Sequence, residues 1–399
     1  MNPAKSFLIL SIAVVLLVGG CAHADEEDSI APLAPASGRV DPGLGPGTRA
    51  LSSGPGYKGS PSWSPEGDRI AFTVDGYVVD KPTGSGHLRR WTTRDFFAED
   101  TEWESNDALM ILGAAPSSGA QEISSSLYRA RLAEDSLDLE SVENDVSAID
   151  TGRGRLIFAF PSGTHESWLA MTRGGGKIDR RYSKPIEGRV AYLSLAPDGE
   201  QVVLAVHPPG DREVSVLRVF DLKKGQGLEI ARLDGARGIL GTPQWTEQGI
   251  YFVAGKQSTT LDSDGAEPLY NIYRVPEEGG SPELAPGVGE DFVAASIRAS
   301  PDGRRLAVVG RLNPKSPTNL YVLNPLAEVL TAVTTNEDME IKTGPDDLAW
   351  SPGGKSVAVI ARGTPSTEPE VRADPADRLL RDFYNLYEIP VGDPGDTPR

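Results

Sequence analysis

The chain has 399 residues and a formal net charge of −18. A surface this acidic repels phosphate backbones and anionic head groups, which argues against a nucleic-acid partner. The 44 glycines and 32 prolines stand singly or in pairs between short apolar runs, a punctuation that predicts many short strands and hence an all-β protein. The single cysteine, Cys21, has no partner for a disulfide.

Residues 1–20 predict a lipoprotein signal peptide. Lys5 precedes an apolar run, residues 7–18, that is too short to cross a bilayer as a helix. Charge, apolar core and small residues follow one another in the order of a secretory signal. The end of the segment, Val18-Gly19-Gly20-Cys21, resembles the lipobox of bacterial lipoproteins, which implies cleavage before Cys21 and its lipidation. We therefore expect a palmitate-bearing protein anchored to the cell membrane on its periplasmic or extracellular side.

Residues 21–47 predict a flexible tether between this anchor and a folded domain. They begin with the acidic run Asp25-Glu26-Glu27-Asp28 and continue as a Pro/Gly/Ala-rich segment without apolar periodicity. Such a composition cannot build a core and behaves as a linker. The folded domain is accordingly expected over residues 48–399.

A short hairpin phrase recurs along this domain. Its clearest copy is Trp63-Ser64-Pro65-Glu66-Gly67, followed by the buried-strand pattern Ile70-Ala71-Phe72. Proline has the φ that the second turn position needs, and glycine supplies the positive φ that closes the hairpin. The residues predicted to build the repeated turns are Trp63, Ser64, Pro65, Gly67, Pro197, Asp198, Gly199, Trp245, Pro301, Asp302, Gly303, Trp350, Ser351 and Pro352.

The repeats are numerous enough to form a closed ring of sheets. Seven copies are recognisable, one of them eroded, with marker residues at positions 64, 104, 150, 196, 246, 300 and 351. Their spacing of roughly 40–54 residues is that of a four-stranded antiparallel propeller blade. We predict a seven-bladed β-propeller, with six blades as the alternative. Thr48-Arg49-Ala50-Leu51 is expected to complete the last blade and so to remove an exposed sheet edge.

The phrase over residues 63–72 and its copies resemble the WD-like repeats of the TolB family and of the propeller domains in prolyl-oligopeptidase-type enzymes. The resemblance covers roughly residues 48–399 and implies the propeller fold. It implies little about function, because the repeated residues build turns and blade contacts. The sequence departs from TolB in two respects: seven blades are predicted instead of six, and the additional N-terminal α/β domain of TolB is not predicted.

Long loops between second and third strands favour one face of the disc as the binding face. The longest, residues 363–383, contains the helix-starting pair Asp374-Pro375 and then an apolar stripe of Leu379, Leu380 and Phe383 at helical spacing. Two interpretations stand for this stripe. It packs over the channel or a neighbouring loop, or it contacts a partner.

The sequence predicts no cofactor, no metal and no catalytic set. Asp262, Asp264 and Glu267 resemble the start of a calcium loop but lack its later carboxylates, so a solvated turn is expected. No Gly-X-Ser-X-Gly nucleophile elbow occurs, whereas carboxylate pairs of the glycosidase type stay open. Three histidines occupy different places within the predicted blades and are not expected to converge on a metal: His87, His165 and His207.

The function expected from these features is that of a monomeric, non-catalytic module that binds a protein or another component of the cell envelope. Two alternatives stay open. One is a propeller enzyme, a lyase, hydrolase or cyclase, acting on an envelope polysaccharide or peptide; the other is a small-ligand sensor. Fold alone does not separate them, because propellers host many functions.

Overall fold

The computed structural model describes residues 44–84, 86–93, 96–115, 125–133, 136–152, 154–163, 165–173, 177–210, 214–234, 238–255, 269–336, 339–344, 347–363 and 383–392. Within these ranges the regular structure consists of strands, β1 to β30, without an α-helix. Nothing helical in the same ranges offers the length and hydrophobicity needed to cross a bilayer.

The strands form seven antiparallel sheets, and six of these contain a four-stranded meander of consecutive strands; in the third of them a short fifth strand also pairs with the third strand. Blade 1 contains β2 (Lys58–Trp63), β3 (Arg69–Val74), β4 (Tyr77–Pro82) and β5 (Arg89–Arg90). Blade 2 contains β6 (Phe97–Ser105), β7 (Ala108–Ala114), β8 (Ser126–Ala133) and β9 (Ser136–Glu143). Blade 3 contains β10 (Ala148–Gly152), β11 (Arg155–Ser162), β12 (Glu166–Arg173), β13 (Ile178–Arg181) and β14 (Ile186–Glu187). Blade 4 contains β15 (Arg189–Leu195), β16 (Gln201–His207), β17 (Ser215–Asp221) and β18 (Gln226–Leu233). Blade 5 contains β19 (Ile239–Thr246), β20 (Gly249–Gly255), β21 (Tyr270–Val275) and β22 (Glu283–Leu284). Blade 6 contains β23 (Val293–Ala299), β24 (Leu306–Arg311), β25 (Asn319–Asn324) and β26 (Val329–Ala332).

The seventh sheet joins the two ends of the described chain. It contains β27 (Met339–Ile341), β28 (Leu348–Trp350), β29 (Ser356–Gly363), β30 (Asn385–Pro390) and, as its outer strand, β1 (Arg49–Ala50). Arg49 pairs with Glu388, and the N–H of Leu51 donates to the carbonyl of Leu386 at 2.7 Å. The prediction of a seven-bladed ring closed by an N-terminal strand is therefore confirmed, and the six-bladed alternative is wrong.

The hydrophobic core is divided among the interfaces between blades. Seven clusters of buried side chains occur in the described residues, and each joins two neighbouring blades. In the cluster between blades 7 and 1, for example, Leu386 and Ile360 pack against Trp63, Ile70 and Phe72. Burying apolar surface is the main favourable term in folding. The disc is consequently stabilised by contact between its blades. A blade separated from its neighbours would expose these apolar side chains to solvent.

The first strands of the blades meet around the axis of the disc. Contacts link β2 to β6, β10 to β15, β15 to β19, β19 to β23, β23 to β28 and β28 back to β2, and β6 also contacts β10. We call the face that carries the turns between first and second strands the turn face. The opposite face, which carries the loops between second and third strands and the links between blades, is the link face.

The repeated turns share one geometry. In blade 1 the N–H of Gly67 donates to the carbonyl of Ser64 at 2.8 Å, and Gly67 has a φ of 73°. The same bond, also at 2.8 Å, closes the turns at Gly199, Gly303 and Gly354. A positive φ is costly for any residue with a Cβ atom, so the glycine position of each turn is fixed by the backbone.

The register of the third blade differs from the one predicted. Ser64 faces Arg69 across the first hairpin, and in blade 3 the equivalent closing pair is Gly152 with Arg155. The marker of blade 3 is therefore Gly152, and the assignment to Asp150 is wrong by two residues. The reason is that the hairpin of blade 3 has a shorter turn and contains no Ser-Pro-Asp-Gly phrase to set its position.

Candidate binding site at the channel mouth

One position in each first strand defines a ring around the channel near the turn face. In blade 1 it is Ser62, which pairs with Ala71, directly before the pair Trp63 and Ile70. The cross-strand pairings place one residue of every other blade at the same level. We call these residues the channel ring: Ser62, Glu102, Asp150, Ser194, Gln244, Arg298 and Ala349.

Four tryptophans bond the channel ring of one blade to the next blade. Each follows a ring residue in its own strand and donates its indole N–H to the carbonyl oxygen of the ring residue in the preceding blade. These bonds run from Trp63 to Ala349 at 3.3 Å, from Trp103 to Ser62 at 2.9 Å, from Trp245 to Ser194 at 3.0 Å and from Trp350 to Arg298 at 2.8 Å.

The three blades that lack this tryptophan are joined differently. Thr151, Leu195 and Ala299 stand in its place, and none of them has an indole N–H to reach the main-chain oxygen of the preceding ring residue. Here the ring residue of the preceding blade provides a side-chain acceptor. Thr151 donates its hydroxyl to Glu102 at 3.1 Å. The other two bonds come from the backbone N–H groups of Leu195 and Ala299, to Asp150 at 2.6 Å and to Gln244 at 2.9 Å.

All seven blade interfaces therefore have a hydrogen bond at the level of the channel ring. Such a bond contributes about 1 kcal/mol net when both partners are buried. More important for a binding site, each bond fixes a blade relative to its neighbour at the point where the ring residues face the channel. The site is preorganised, which lowers the entropy cost of binding.

The channel ring forms the floor of a cavity of about 450 Å³ that opens at the turn face. Its wall includes the aromatic and proline residues Trp63, Trp245, Trp350, Pro197 and Pro301. A volume of this size is in the range of small-ligand and peptide side-chain pockets. An apolar wall above a polar floor suits a ligand with one charged end and a less polar body.

An ion pair crosses the floor of this cavity. A terminal nitrogen of Arg298, in blade 6, lies 2.9 Å from an oxygen of Glu102, in blade 2. The Glu102 side chain is 14% exposed, and the guanidinium-bearing side chain of Arg298 is 30% exposed. A partly buried pair of this kind is screened less than one on the outer surface. The pair holds two sides of the channel at a defined separation.

Asp150 is the third charged group of the floor. Its carboxylate accepts two backbone bonds, from the N–H groups of Thr151 at 2.9 Å and Leu195 at 2.6 Å. Burial raises the pKa of Asp150 to about 6, helped by the negative charge of Glu102, although Arg298 and the two backbone bonds act in the opposite direction. A carboxyl group that titrates near neutrality inside a cavity is typical of functional sites.

The raised pKa of Asp150 gives a testable dependence of stability on pH. Because its pKa is higher in the folded protein than the usual 3.8, the folded state binds the extra proton between these values, and the contribution of Asp150 to stability is lost as the pH rises through about 6. Asp150→Asn removes this titration. The unfolding free energy of Asp150→Asn minus that of the wild type should be about 1 kcal/mol more positive at pH 8 than at pH 5.

Urea unfolding of both proteins at the two pH values measures this difference directly. Other carboxyl groups titrate in the same interval, but they are common to both proteins and cancel in the comparison. Any weakening of the hydrogen bond from the Leu195 N–H in the variant shifts the difference in unfolding free energy by a similar amount at pH 5 and at pH 8. A difference that is equal at the two pH values would contradict the proposed environment of Asp150.

Of the residues predicted from the sequence as a partner site, only Phe383 is among the described residues, and it does not line this cavity. Phe383 is half-buried just before β30, at the link face. Leu379 and Leu380 lie outside the described residues, as do Cys21 and the three carboxylates Asp262, Asp264 and Glu267. The partner-binding role of the stripe and the lipidation of Cys21 therefore stay predictions.

The histidines are dispersed. His87 lies between β4 and β5, and His165 lies between β11 and β12, both exposed. His207 ends β16, and its Nδ1 lies 3.2 Å from the carbonyl oxygen of Val214. In the part of the chain that the structure describes, no group of three or more His, Cys, Asp or Glu side chains is arranged to hold a metal ion.

The ring residues Glu102, Asp150, Gln244 and Arg298 were missed in the sequence. The sequence does contain a signal for them. Trp63, Trp245 and Trp350 each stand at the start of a hairpin phrase, and the residue directly before each, Ser62, Gln244 or Ala349, is a ring residue. Charge at that position in other repeats marks the floor of the channel. In blade 3 the wrong register concealed it.

Comparison with solved structures finds the same fold in proteins of different function. A puromycin-hydrolyzing peptidase of Mycobacterium tuberculosis matches with a TM-score of 0.52 at 15% identity, over 77% of this chain and 50% of that one. Oligogalacturonate lyase from Vibrio parahaemolyticus matches with a TM-score of 0.50 at 11% identity, over 87% and 94%. A putative TolB from Agrobacterium tumefaciens gives a TM-score of 0.44 at 14% identity, over 78% and 92%.

The class that the seven blades define is that of the β-propellers, the fold that the repeats indicated. At these identities the similarity concerns the fold alone. This chain spans half the length of the peptidase it matches. No protein-family model matches the chain, and no curated protein matches it.

Proposed function

We propose that this protein is a lipid-anchored, extracytoplasmic binding module that receives part of another protein in the cavity at the turn face. The observation that carries the proposal is the channel ring, because seven inter-blade bonds hold a charged floor and an apolar wall in a fixed arrangement. Preformed concave sites of this kind are the usual places of ligand binding.

The bonding of the floor favours binding over chemistry. Glu102, Asp150 and Gln244 each accept an inter-blade hydrogen bond through the side chain, so part of their capacity is used to join blades. A general acid or base has to exchange a proton with its substrate at close range. Groups that also hold the scaffold are better suited to recognition by fixed charge. The anchor at Cys21 would keep the module beside the membrane, where its partner would be met.

Photocrosslinking in intact cells tests where the partner binds. Pro197 and Pro301 are exposed turn residues on the wall of the cavity, and a photoreactive benzoylphenylalanine can replace either one. The matched controls are Leu312 at the link face, 59% exposed, and Leu326 on an outer turn of blade 6, 76% exposed. We expect the same discrete adduct from positions 197 and 301 and none from the two controls.

The adduct from position 197 should also decrease by roughly fivefold or more when Glu102→Gln is introduced, because charged anchors at the centre of an interface carry much of its energy. An adduct from position 312 but not from 197 or 301 would place the partner on the link face and contradict the proposal. Far-UV circular dichroism of each variant checks that the blades are intact.

A catalytic function is the second candidate, and one observation favours it. The pKa of Asp150, raised to about 6, is suited to a general acid or base near neutral pH, and Glu102 provides a second carboxylate in the same cavity. Incubation of the purified protein with envelope polysaccharides and peptides, followed by mass spectrometry, tests it. Turnover that is abolished by Asp150→Asn would favour the enzyme over the binding module.

A further inference from the structure

The charges on the floor of the cavity do not balance. Two carboxylates, Glu102 and Asp150, face one guanidinium, that of Arg298. Glu102 is in direct contact with Arg298, whereas the hydrogen bonds of Asp150 are to backbone N–H groups. With both carboxyl groups ionised, the floor therefore has an excess of one negative charge in a partly buried place, where charges interact strongly.

The excess negative charge on the floor affects the ionisation of Asp150. The negative charge of Glu102 disfavours ionisation of Asp150, and the attraction of Arg298 does not overcome burial. A second cation on the floor would remove this penalty. A compact cationic group suits this position, which lies at the bottom of a cavity of about 450 Å³.

We propose that the cavity at the turn face recognises a primary ammonium group of a polypeptide, either its N-terminus or a lysine side chain, which pairs with Asp150 and Glu102 beside Arg298. This inference rests on the proposed function and names the chemistry of the partner. The apolar wall would contact the residues next to the ammonium group. Arg298 would retain one oxygen of Glu102, and the ligand would use the remaining acceptor positions of the two carboxylates.

A primary ammonium fits this floor better than the two obvious competitors. An anion would be attracted by Arg298 but repelled by both carboxylates, of which one is already in contact with the guanidinium. A divalent metal ion takes six or more oxygen ligands in calcium sites, and within the described residues no suitable group of carboxylates and histidines is present. An ammonium group needs only two or three acceptors.

Binding of short peptides to the full chain tests the inference. The first probe is tetraalanine amide with a free N-terminus, the second is N-acetyl-Ala-Lys-Ala-amide, and the control is N-acetyl-tetraalanine amide, which has no ammonium group. Titration calorimetry gives the affinity, and tryptophan fluorescence reports on the cavity because three tryptophans line it. At pH 8 we expect one or both ammonium probes to bind at least about tenfold more tightly than the control.

Three variants relate the binding to the floor. Glu102→Gln and Asp150→Asn should each weaken the ammonium probe by about tenfold or more, and Glu66→Gln, on an exposed turn outside the cavity, should not change it. For the wild type, affinity should fall as the pH is lowered from 8 to 5, since Asp150, whose pKa is raised to about 6, takes up a proton in this interval. In Asp150→Asn this fall should be reduced. Urea unfolding shows whether each variant is folded.

The result that would overturn the inference is equal binding of the acetylated control. Tight binding of N-succinyl-tetraalanine amide that is lost in Arg298→Gln would also overturn it, because the site would then be one for anions. The photocrosslinking experiment keeps the two proposals apart. Adducts from Pro197 and Pro301 without any preference for an ammonium probe would leave the binding module standing and contradict only the chemistry inferred for its partner.

Discussion

Replacing Asp80 by asparagine is expected to lower the free energy of unfolding by about 3–5 kcal/mol. Asp80 is fully buried in blade 1. Its carboxylate accepts two bonds from Arg89, at 2.9 and 3.0 Å, one from the indole N–H of Trp91 at 2.8 Å, and one from Nε of Arg69. The amide of asparagine has no negative charge, and its NH2 group is a donor that replaces one of the two acceptor oxygens of the carboxylate. Two guanidinium groups would then face a neutral group in a buried place.

The matched control for this prediction is an exposed ion pair. Glu229 contacts Arg232 at 3.0 Å on the outer strand of blade 4, where both side chains are more than one-third exposed. Glu229→Gln should change the unfolding free energy by less than about 1 kcal/mol. Urea unfolding followed by circular dichroism measures both variants. A loss for Asp80→Asn no larger than that of the control would contradict the role assigned to the buried carboxylate.

Replacing Leu51 by proline should open the ring. Leu51 is 2% exposed, packs between blades 7 and 1, and donates its N–H to Leu386. Proline has no N–H and fills less of the cluster, so the closing contact loses a hydrogen bond and apolar packing together. We expect a loss of about 3 kcal/mol or more in the free energy of unfolding.

Leu51→Met keeps the N–H and nearly the same volume, so it should cost less than about 1.5 kcal/mol. Opening the ring would also expose β30, whose unpaired edge favours association between molecules. Size-exclusion chromatography with light scattering should therefore detect oligomers of Leu51→Pro but not of Leu51→Met. A monomeric Leu51→Pro protein with wild-type stability would show that β1 is not needed for closure.

The fold could be predicted from the sequence because its signals are local. A turn such as Ser64-Pro65-Glu66-Gly67 fixes a hairpin through four adjacent residues, and its repetition gave the number of blades. Closure by Arg49 and Ala50 followed from one missing outer strand. The repeat that lacks the phrase was also the one whose register was wrong, since no local signal fixed Asp150 against Ile157.

The candidate site could not be predicted in the same way. Glu102 and Arg298 are 196 positions apart, and their contact results from the placement of blades 2 and 6 across the channel. The long loops directed attention to the link face, whereas the charged cavity of the described residues opens at the turn face. Side-chain direction within a first strand depends on a register that a short turn does not reveal.

The channel ring divides the mouth into positions that can vary and positions that cannot. At Ser62, Ser194 and Ala349 the bond between blades uses the main-chain oxygen, so these side chains can be exchanged without loss of that bond. Arg298 also provides a main-chain oxygen, but its side chain pairs with Glu102 across the channel. At Glu102, Asp150 and Gln244 an exchange would need a tryptophan installed one blade further on. Substitutions at Ser62, Ser194 and Ala349 are therefore the simplest route, in protein engineering as in evolution, to a different ligand preference.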